Sequence, residues 1–286
     1  MMKKILIFLI PIVLVFAYGF KPHDQPVNNQ KNKNGIIPYN NSNNPNQVMN
    51  LSSVQLQANQ INTWFRNNGS FNRNPATDNS GFEWPKGSAK FARYASGLWI
   101  GAQVGNDTLV CIAEFSYEYV GGNIPVLGGP PQGQGDPNFK IYNISPTDTS
   151  EYQAWRTFAA SQGAYLDSNG NPYLLGDQTQ FYSYTDGYAS AHGNRAGSTL
   201  PLGAVILQTN WSYAANGPLS SMAFSEFRVI NRSNSTWNNT YIAVWTDDDV
   251  GDGTNDAIGC DTALGLGFTY NASNSDNQYG AAPPAV

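Results

Sequence analysis

The chain has 286 residues, 41% hydrophobic and 13% aromatic, enough to bury a sizeable core in one large domain or two small ones. A net charge of −5, with Lys31 and Lys33 in a polar Asn-rich run, leaves no basic footprint and argues against nucleic-acid binding. Two histidines are too few for a His-rich zinc site.

Met1-Met2-Lys3-Lys4 is a positive leader, residues 5–16 are an apolar run, and Ala17-Tyr18-Gly19 supplies small residues at the spacing of a cleavage site. Residues 1–19 therefore read as a signal peptide, with the mature chain starting at Phe20. An uncleaved anchor fits less well, because the run is shorter than the ~20 residues of a comfortable span and Pro11 interrupts it. No cysteine follows it, so a lipoprotein anchor is unsupported. Membrane contact is expected only during export, and localisation is expected to be secreted, extracellular or on the outer cell surface.

Residues 20–58 are polar and rich in Asn, Gln and Pro, too poor in apolar surface to offset ordering entropy, and read as a disordered linker. Order is expected from Ile61-Asn62-Thr63-Trp64-Phe65. Residues 98–104, the turn Gly105-Asn106-Asp107 and residues 108–120 read as an antiparallel hairpin. Its second strand places Cys111, Ala113, Phe115, Tyr117 and Tyr119 on one face and Ile112, Glu114, Ser116 and Glu118 on the other. Residues 121–137 are Gly- and Pro-rich and read as a loop, and 139–144 as a short strand. One helix is expected, with Asp148 as N-cap, Glu151 at the capping-box position, and Tyr152, Trp155 and Ala159 at helical spacing. Residues 179–184, 200–213, 220–231, 240–246 and 262–270 are further strands, with Gly265 and Gly267 on one strand face.

The predicted fold is all-β: an antiparallel β-sandwich, jelly-roll-like, with long loops and one short helix, over residues 59–286. A barrel is the competing architecture. The ending Ala281-Ala282-Pro283-Pro284-Ala285-Val286 is abrupt, and the region is expected to continue in a longer reading frame.

Thr246-Asp247-Asp248-Asp249-Val250-Gly251-Asp252-Gly253-Thr254-Asn255-Asp256 follows a strand and holds five acidic residues in eleven positions. Confined carboxylates repel one another, so such a cluster is solvated or surrounds a cation. It fails the EF-hand pattern, since Gly251 and Asp252 reverse the required fifth and sixth positions and no glutamate stands at the twelfth. Asp247, Asp249, Asp252 and Asp256 are the candidate metal ligands, with Gly251 and Gly253 letting the chain curl. Calcium is preferred because it accepts irregular shells of about six to eight oxygens. The competing reading is a solvated acidic turn.

Several motifs agree in order with a recurrent region. They are residues 61–71, Gly81-Phe82-Glu83-Trp84-Pro85, Tyr94-Ala95-Ser96-Gly97-Leu98-Trp99-Ile100-Gly101, Gly176-Asp177-Gln178-Thr179 and residues 245–261. Together they resemble the N-terminal region of large, uncharacterised secreted proteins of Gram-negative bacteria that use type IX secretion. The resemblance implies location and architecture, and it carries no catalytic residues. Members tend to end in a sorting domain, which is not recognisable in these residues and is expected in a longer reading frame. Asp107-Thr108-Leu109 and Asp261-Thr262-Ala263 are similar to the O-glycosylation acceptor of such bacteria, although Asp107 also ends a hairpin turn.

Other chemistry is weakly supported. His192 has no nucleophile-elbow partner and reads as a polar loop residue. Glu114 and Glu118 would stand roughly 13 Å apart on a strand, beyond the about 5–9.5 Å of glycosidase carboxylate pairs, and read as a solvated face. Trp99, Trp211 and Trp245 read as core; Trp64, Trp84 and Trp237 lie in polar settings and are candidates for stacking on sugars. Cys111 and Cys260 either pair across neighbouring strands or stay as buried free thiols. The expected function is a structural or adhesive surface protein with a calcium-stabilised loop and no catalysis in this region. A glycan-binding module and the non-catalytic part of a secreted hydrolase are the alternatives. Extracellular glycans or other surface proteins are the expected partners.

Overall fold

The structure, a computed structural model, describes residues 51–193 and 198–286. The expected export signal, and the expected linker up to residue 50, lie outside the described residues. Strands β1 (Ser53–Leu56), β2 (Thr63–Arg66) and β3 (Ser70–Phe71) open the first sheet, and β4 (Phe82–Glu83) pairs with β5 (Phe91–Arg93) in a small separate ribbon. Strand β1 falls inside the stretch assigned to the linker. It is ordered because Leu56 enters the core while Val54 pairs with Phe65 and packs against the same cluster.

Next come β6 (Ala95–Val104) and β7 (Asp107–Ile112), joined by the tight turn the sequence predicts, with Gly105 at φ 62°. The second strand ends at Ile112, well short of residue 120. The chain then doubles back, with the Glu118 amide donating to the Ile112 carbonyl. Strands β8 (Val120–Gly121), β9 (Tyr142–Ile144), β10 (Gln178–Thr185), β11 (Ala204–Ser212) and β12 (Ala223–Asn231) build a second antiparallel sheet. Strand β13 (Asn238–Asp247) returns to the first sheet alongside β6. A hairpin of β14 (Asp256–Asp261) and β15 (Leu266–Asn271), then the short pair β16 (Ser275–Asp276) and β17 (Gly280–Ala281), complete the described chain.

The order β1-β2-β3-β6-β13, with β7 also on β6, faces the order β12-β11-β10-β8, with β9 also on β10. Leu98 and Ile100 of β6 meet Tyr182 and Tyr184 of β10 and Ile206 of β11 in one buried cluster. The fold is thus all-β, with two facing sheets rather than one sheet closed into a barrel. The second sheet is covered on its other face as well. Phe181, Val205 and Leu207 pack there against Trp155 and Ala159 of a helical segment. That segment runs as α-helix at Tyr152–Ala154, π-helix at Trp155–Ala159 and α-helix at Ala160–Gln162, ending on Gly163 at φ 113°. Burial on both faces explains why every residue of β10 is buried, although most of them are polar.

The predicted capping box does not form. Glu151, the residue before the helix, accepts from the Asn143 amide and pairs with Lys140, while Asp148 accepts from the Ser150 amide in a local turn. The glutamate thus ties the helix to β9 instead of closing its own first turn. Gly265 and Gly267 do not share a strand face either, because Gly265 (φ 60°) sits in the turn before β15.

Candidate functional site

Strand β13 delivers the acidic run to the sheet end, and Asp248 anchors it. This carboxylate pairs with the Arg93 guanidinium at 2.9 Å and accepts from the Thr269 hydroxyl at 2.7 Å, joining β5 to the β14–β15 hairpin. Val250 is fully buried beneath the loop, and its amide donates to Asp256 Oδ2 at 2.8 Å. The Gly251 amide donates to the Phe91 carbonyl. A Cβ at Gly251 would lie 2.1 Å from Asp276 Oδ1, and one at Gly253 would lie 2.1 Å from Asp249 Oδ1. Two carboxylates therefore press directly on the glycine backbone, which is why the run needs residues without side chains there.

The four candidate ligands divide by environment. Asp252 is fully supplied with donors: the Thr254 amide at 3.1 Å, the Thr254 hydroxyl at 2.6 Å and the Asn277 amide at 2.5 Å. The Thr254 bonds hold its carboxyl below the ordinary range. Asp247, Asp249 and Asp256 are all pushed upward, first by burial. Repulsion adds to this, from Asp248 at Asp247 and from Asp247 and Asp256 at Asp249. Asp256 has one oxygen on the Val250 amide, and its Oδ1 is buried without a hydrogen-bond partner. Three of the predicted residues thus form an under-supplied group, and Asp252 is a turn-former.

Among the described residues, no group of three or more His, Cys, Asp or Glu side chains converges as metal ligands do. The fit to calcium accordingly rests on the donor chemistry: carboxylate oxygens lacking protons to accept and an orphaned buried oxygen on Asp256. Asp276 was missed by the sequence reading. It accepts from the amides of Asp252, Gln278 and Tyr279 and from the Asn271 side chain, closing the loop from the far side. Burial acts to raise its carboxyl, but these amides outweigh it and hold it below the ordinary range.

A second cluster contradicts two expectations. Glu118 is completely buried, not on a solvated face, and its Oε2 accepts from the Ile112 amide at 3.0 Å. His192 is buried too, not a polar loop residue. Its Nε2 donates to the Asp186 carbonyl at 2.8 Å, and its Nδ1 lies 3.7 Å from Glu118 Oε1. Asp186, also buried, accepts from the Leu202 and Ala204 amides at 2.6 Å each. Burial raises its carboxyl, against the pull of His192 and of the two amides. Nearby Cys111 donates to Tyr119 Oη at 3.2 Å; burial, then the Asp186 charge, push its thiol well up. A thiol, an imidazole and two carboxylates meet here, but with side chains at 0–1% exposure the ion-pairing members are sealed from substrate. The cluster pins the strand β7 turn to the loop after β10. The Asp186-Gly187 pair suggests only a turn, so nothing in the sequence announces it.

The cysteines are unpaired, with Cys111 buried and Cys260 exposed on β14, so the strand-to-strand bridge does not form and only one thiol is buried. Trp99, Trp211 and Trp245 are half-buried rather than core, and Trp155 is the tryptophan in the core. Trp99 and Trp245 stack at 6.4 Å on the outer face of the first sheet, with Phe115 edge-on to Trp245 at 5.0 Å. Trp64, Trp84 and Trp237 are half-buried as well. The Trp84 indole donates to Ser221 and the Trp237 indole to the Leu202 carbonyl, which anchors both. Thr108 and Thr262 are both exposed.

A depression of about 280 Å³ lies between residues 124–131 and 201–234, and its only charged lining residue is Arg232. That guanidinium donates to the carbonyls of Ile124 and Pro125. No family model, curated protein or solved structure matches the chain.

Proposed function

We propose that this chain is a structural or adhesive β-sandwich, exported to the outer surface or the medium, whose strand-end acidic loop is completed by calcium. The observation that carries the calcium reading is the buried, unpartnered Oδ1 of Asp256 beside Asp249, whose carboxyl is raised by burial and then by the charges of Asp247 and Asp256. A divalent ion reverses that penalty by favouring the charged forms. The export reading rests on residues 1–19 and on the resemblance to type IX secreted proteins. The surface role rests on the same resemblance and on the all-β, two-sheet scaffold.

Calcium titration against melting temperature tests the loop. Binding to the folded state alone stabilises it by about 2.7 kcal/mol at a hundredfold excess over Kd. Asp249→Asn is expected to blunt that rise, while Asp252→Asn blunts it less because Asp252 already has its donors. A melting curve indifferent to calcium and chelator would leave a solvated turn. A glycan-binding reading has its own support in the outer-face pair Trp99 and Trp245 with Phe115, since flat rings stack on sugar faces. Glycan-array binding lost in Trp245→Ala would favour it.

A further inference from the structure

An open sheet edge presents unpaired N–H and C=O groups, and soluble proteins block such edges. Among the described residues, several edges of the two main sheets are blocked by side chains. At β1, the Gln55 carbonyl accepts from the side chains of Gln178 and Gln180, and the Gln57 amide donates to Gln178. At β7, Thr199 both accepts from the Val110 amide and donates to its carbonyl, while Glu118 takes the Ile112 amide. At β9, Glu151 takes the Asn143 amide. Strand β12 carries Glu226 and Arg228, tied to Tyr165 and to the Gly163 carbonyl.

Strand β13 has no such device. It is the last strand of its sheet and pairs only with β6. Among the described residues, the main chain of 241–245 bonds to nothing else. The strand lacks Lys, Arg, Glu and Pro, its only charge being Asp247 at the end. Tyr241 is 73% exposed and Val244 40%.

We propose that this edge is an interface with a second copy of the chain, β13 pairing antiparallel with β13 about a two-fold axis through Ala243. The sequence is self-complementary in that register. Residues facing each other across an antiparallel pair point to the same side, so Tyr241 faces Trp245 and Ile242 faces Val244, with Ala243 facing itself. An aromatic meets an aromatic on the outer face, a branched aliphatic meets another on the inner face, and no like charges oppose. The stacked row of Trp99 and Trp245 then continues across the axis through the partner copy's Tyr241. The bulge between Asn238 and Tyr241 ends the regular segment, so the matched length is the stretch 241–245. This inference is independent of the calcium reading.

Sedimentation equilibrium of the full chain tests it, with calcium present and absent. The expected result is twice the monomer mass, reverting to monomer in Ala243→Lys, which sets two ammonium groups against each other at the axis, with an unchanged circular dichroism spectrum. A monomer at concentrations up to about 100 µM, far above a micromolar Kd, overturns the proposal. So does a dimer that persists in the folded Ala243→Lys protein. Should that variant not fold, Ala243→Cys in a Cys260→Ser background decides. A short bismaleimide must join its two copies while failing to join copies of Ile258→Cys in the same background; the reverse pattern, or no joining, overturns the pairing.

Discussion

Asp186→Asn is the most direct test of how the enclosed cluster holds the two sheets. Each carboxylate oxygen accepts one short bond, from Leu202 and from Ala204, at 2.6 Å. An amide has a single oxygen, so in either orientation one buried backbone N–H faces an NH₂ donor. The loss is a charge-assisted bond, about 1.5–3 kcal/mol, and the burial of an unpaired N–H adds about 1–3 kcal/mol, so about 3–5 kcal/mol is expected. For a domain of this size that lowers Tm by about 6–20 °C. Urea unfolding followed by tryptophan fluorescence, with matched m-values, supplies the measurement. The pH dependence adds a sign. Because burial raises the folded-state carboxyl above its ordinary value, the stabilisation from its proton is complete below the unfolded value. It is lost as pH rises through the folded one. The variant lacks this slope, so the gap between the two proteins is expected to narrow from acid toward neutral pH. A cost below about 1 kcal/mol at all pH values would show that the two bonds do not support the turn, and the reasoning would fail.

Gly97→Ala places a Cβ 1.8 Å from the Ala113 carbonyl oxygen, a backbone atom that cannot step aside, so a loss above about 3 kcal/mol or no soluble protein is expected on expression and chemical unfolding. Trp155→Ala removes a fully buried ring from the outer face of the second sheet, edge-on to Phe181, and is expected to cost about 3–5 kcal/mol by the same unfolding measurement. Iodoacetamide on the native chain is expected to modify Cys260 and to reach Cys111 only in denaturant, as read by peptide mass; two modified thiols in the folded protein would contradict the burial of Cys111 on β7.

The parts of the fold legible from sequence are those fixed by local chemistry. Gly105-Asn106 between two alternating runs gives a tight turn, and the β6–β7 pairing follows. The acidic run sits at a strand end as its position after residues 241–245 suggests. Elsewhere, long-range packing overrides the pattern. Alternation through residue 120 reads as one strand, but the chain folds back after Ile112, and Glu118 then satisfies a buried amide instead of meeting solvent. Strand β14 lies within and just beyond the acidic run, where Asp256 and Asp261 at its two ends mask it. Trp99 and Trp245 sit in strands, and strand membership alone does not say which face meets the second sheet. In the site, Asp247, Asp249 and Asp256 were identifiable by composition; the diversion of Asp252 to Thr254 and Asn277 depends on where β16 returns.

Asn and Gln are so frequent that they read as low complexity, and in the folded region many of them perform a task composition cannot reveal. Asn67 accepts from the Ser52 amide and donates to the Phe139 carbonyl, and Asn72 links Thr63 to Ser96 inside the core. Gln178 spans from β10 to both Gln55 and Asn143. A side-chain amide offers a donor and an acceptor without charge, so it can complete a sheet edge or a buried strand end at little desolvation cost. Composition alone therefore does not separate Asn- and Gln-rich strands from an Asn- and Gln-rich linker. Strand β13 carries its two asparagines only at its start, at the bulge, and among the described residues no other element brings a side-chain amide to the main chain of 241–245. Where the edges at β1, β7 and β9 are supplied with hydrogen-bond partners from within the chain, the unsupplied, uncharged edge of β13 is the place where a partner's main chain can supply them.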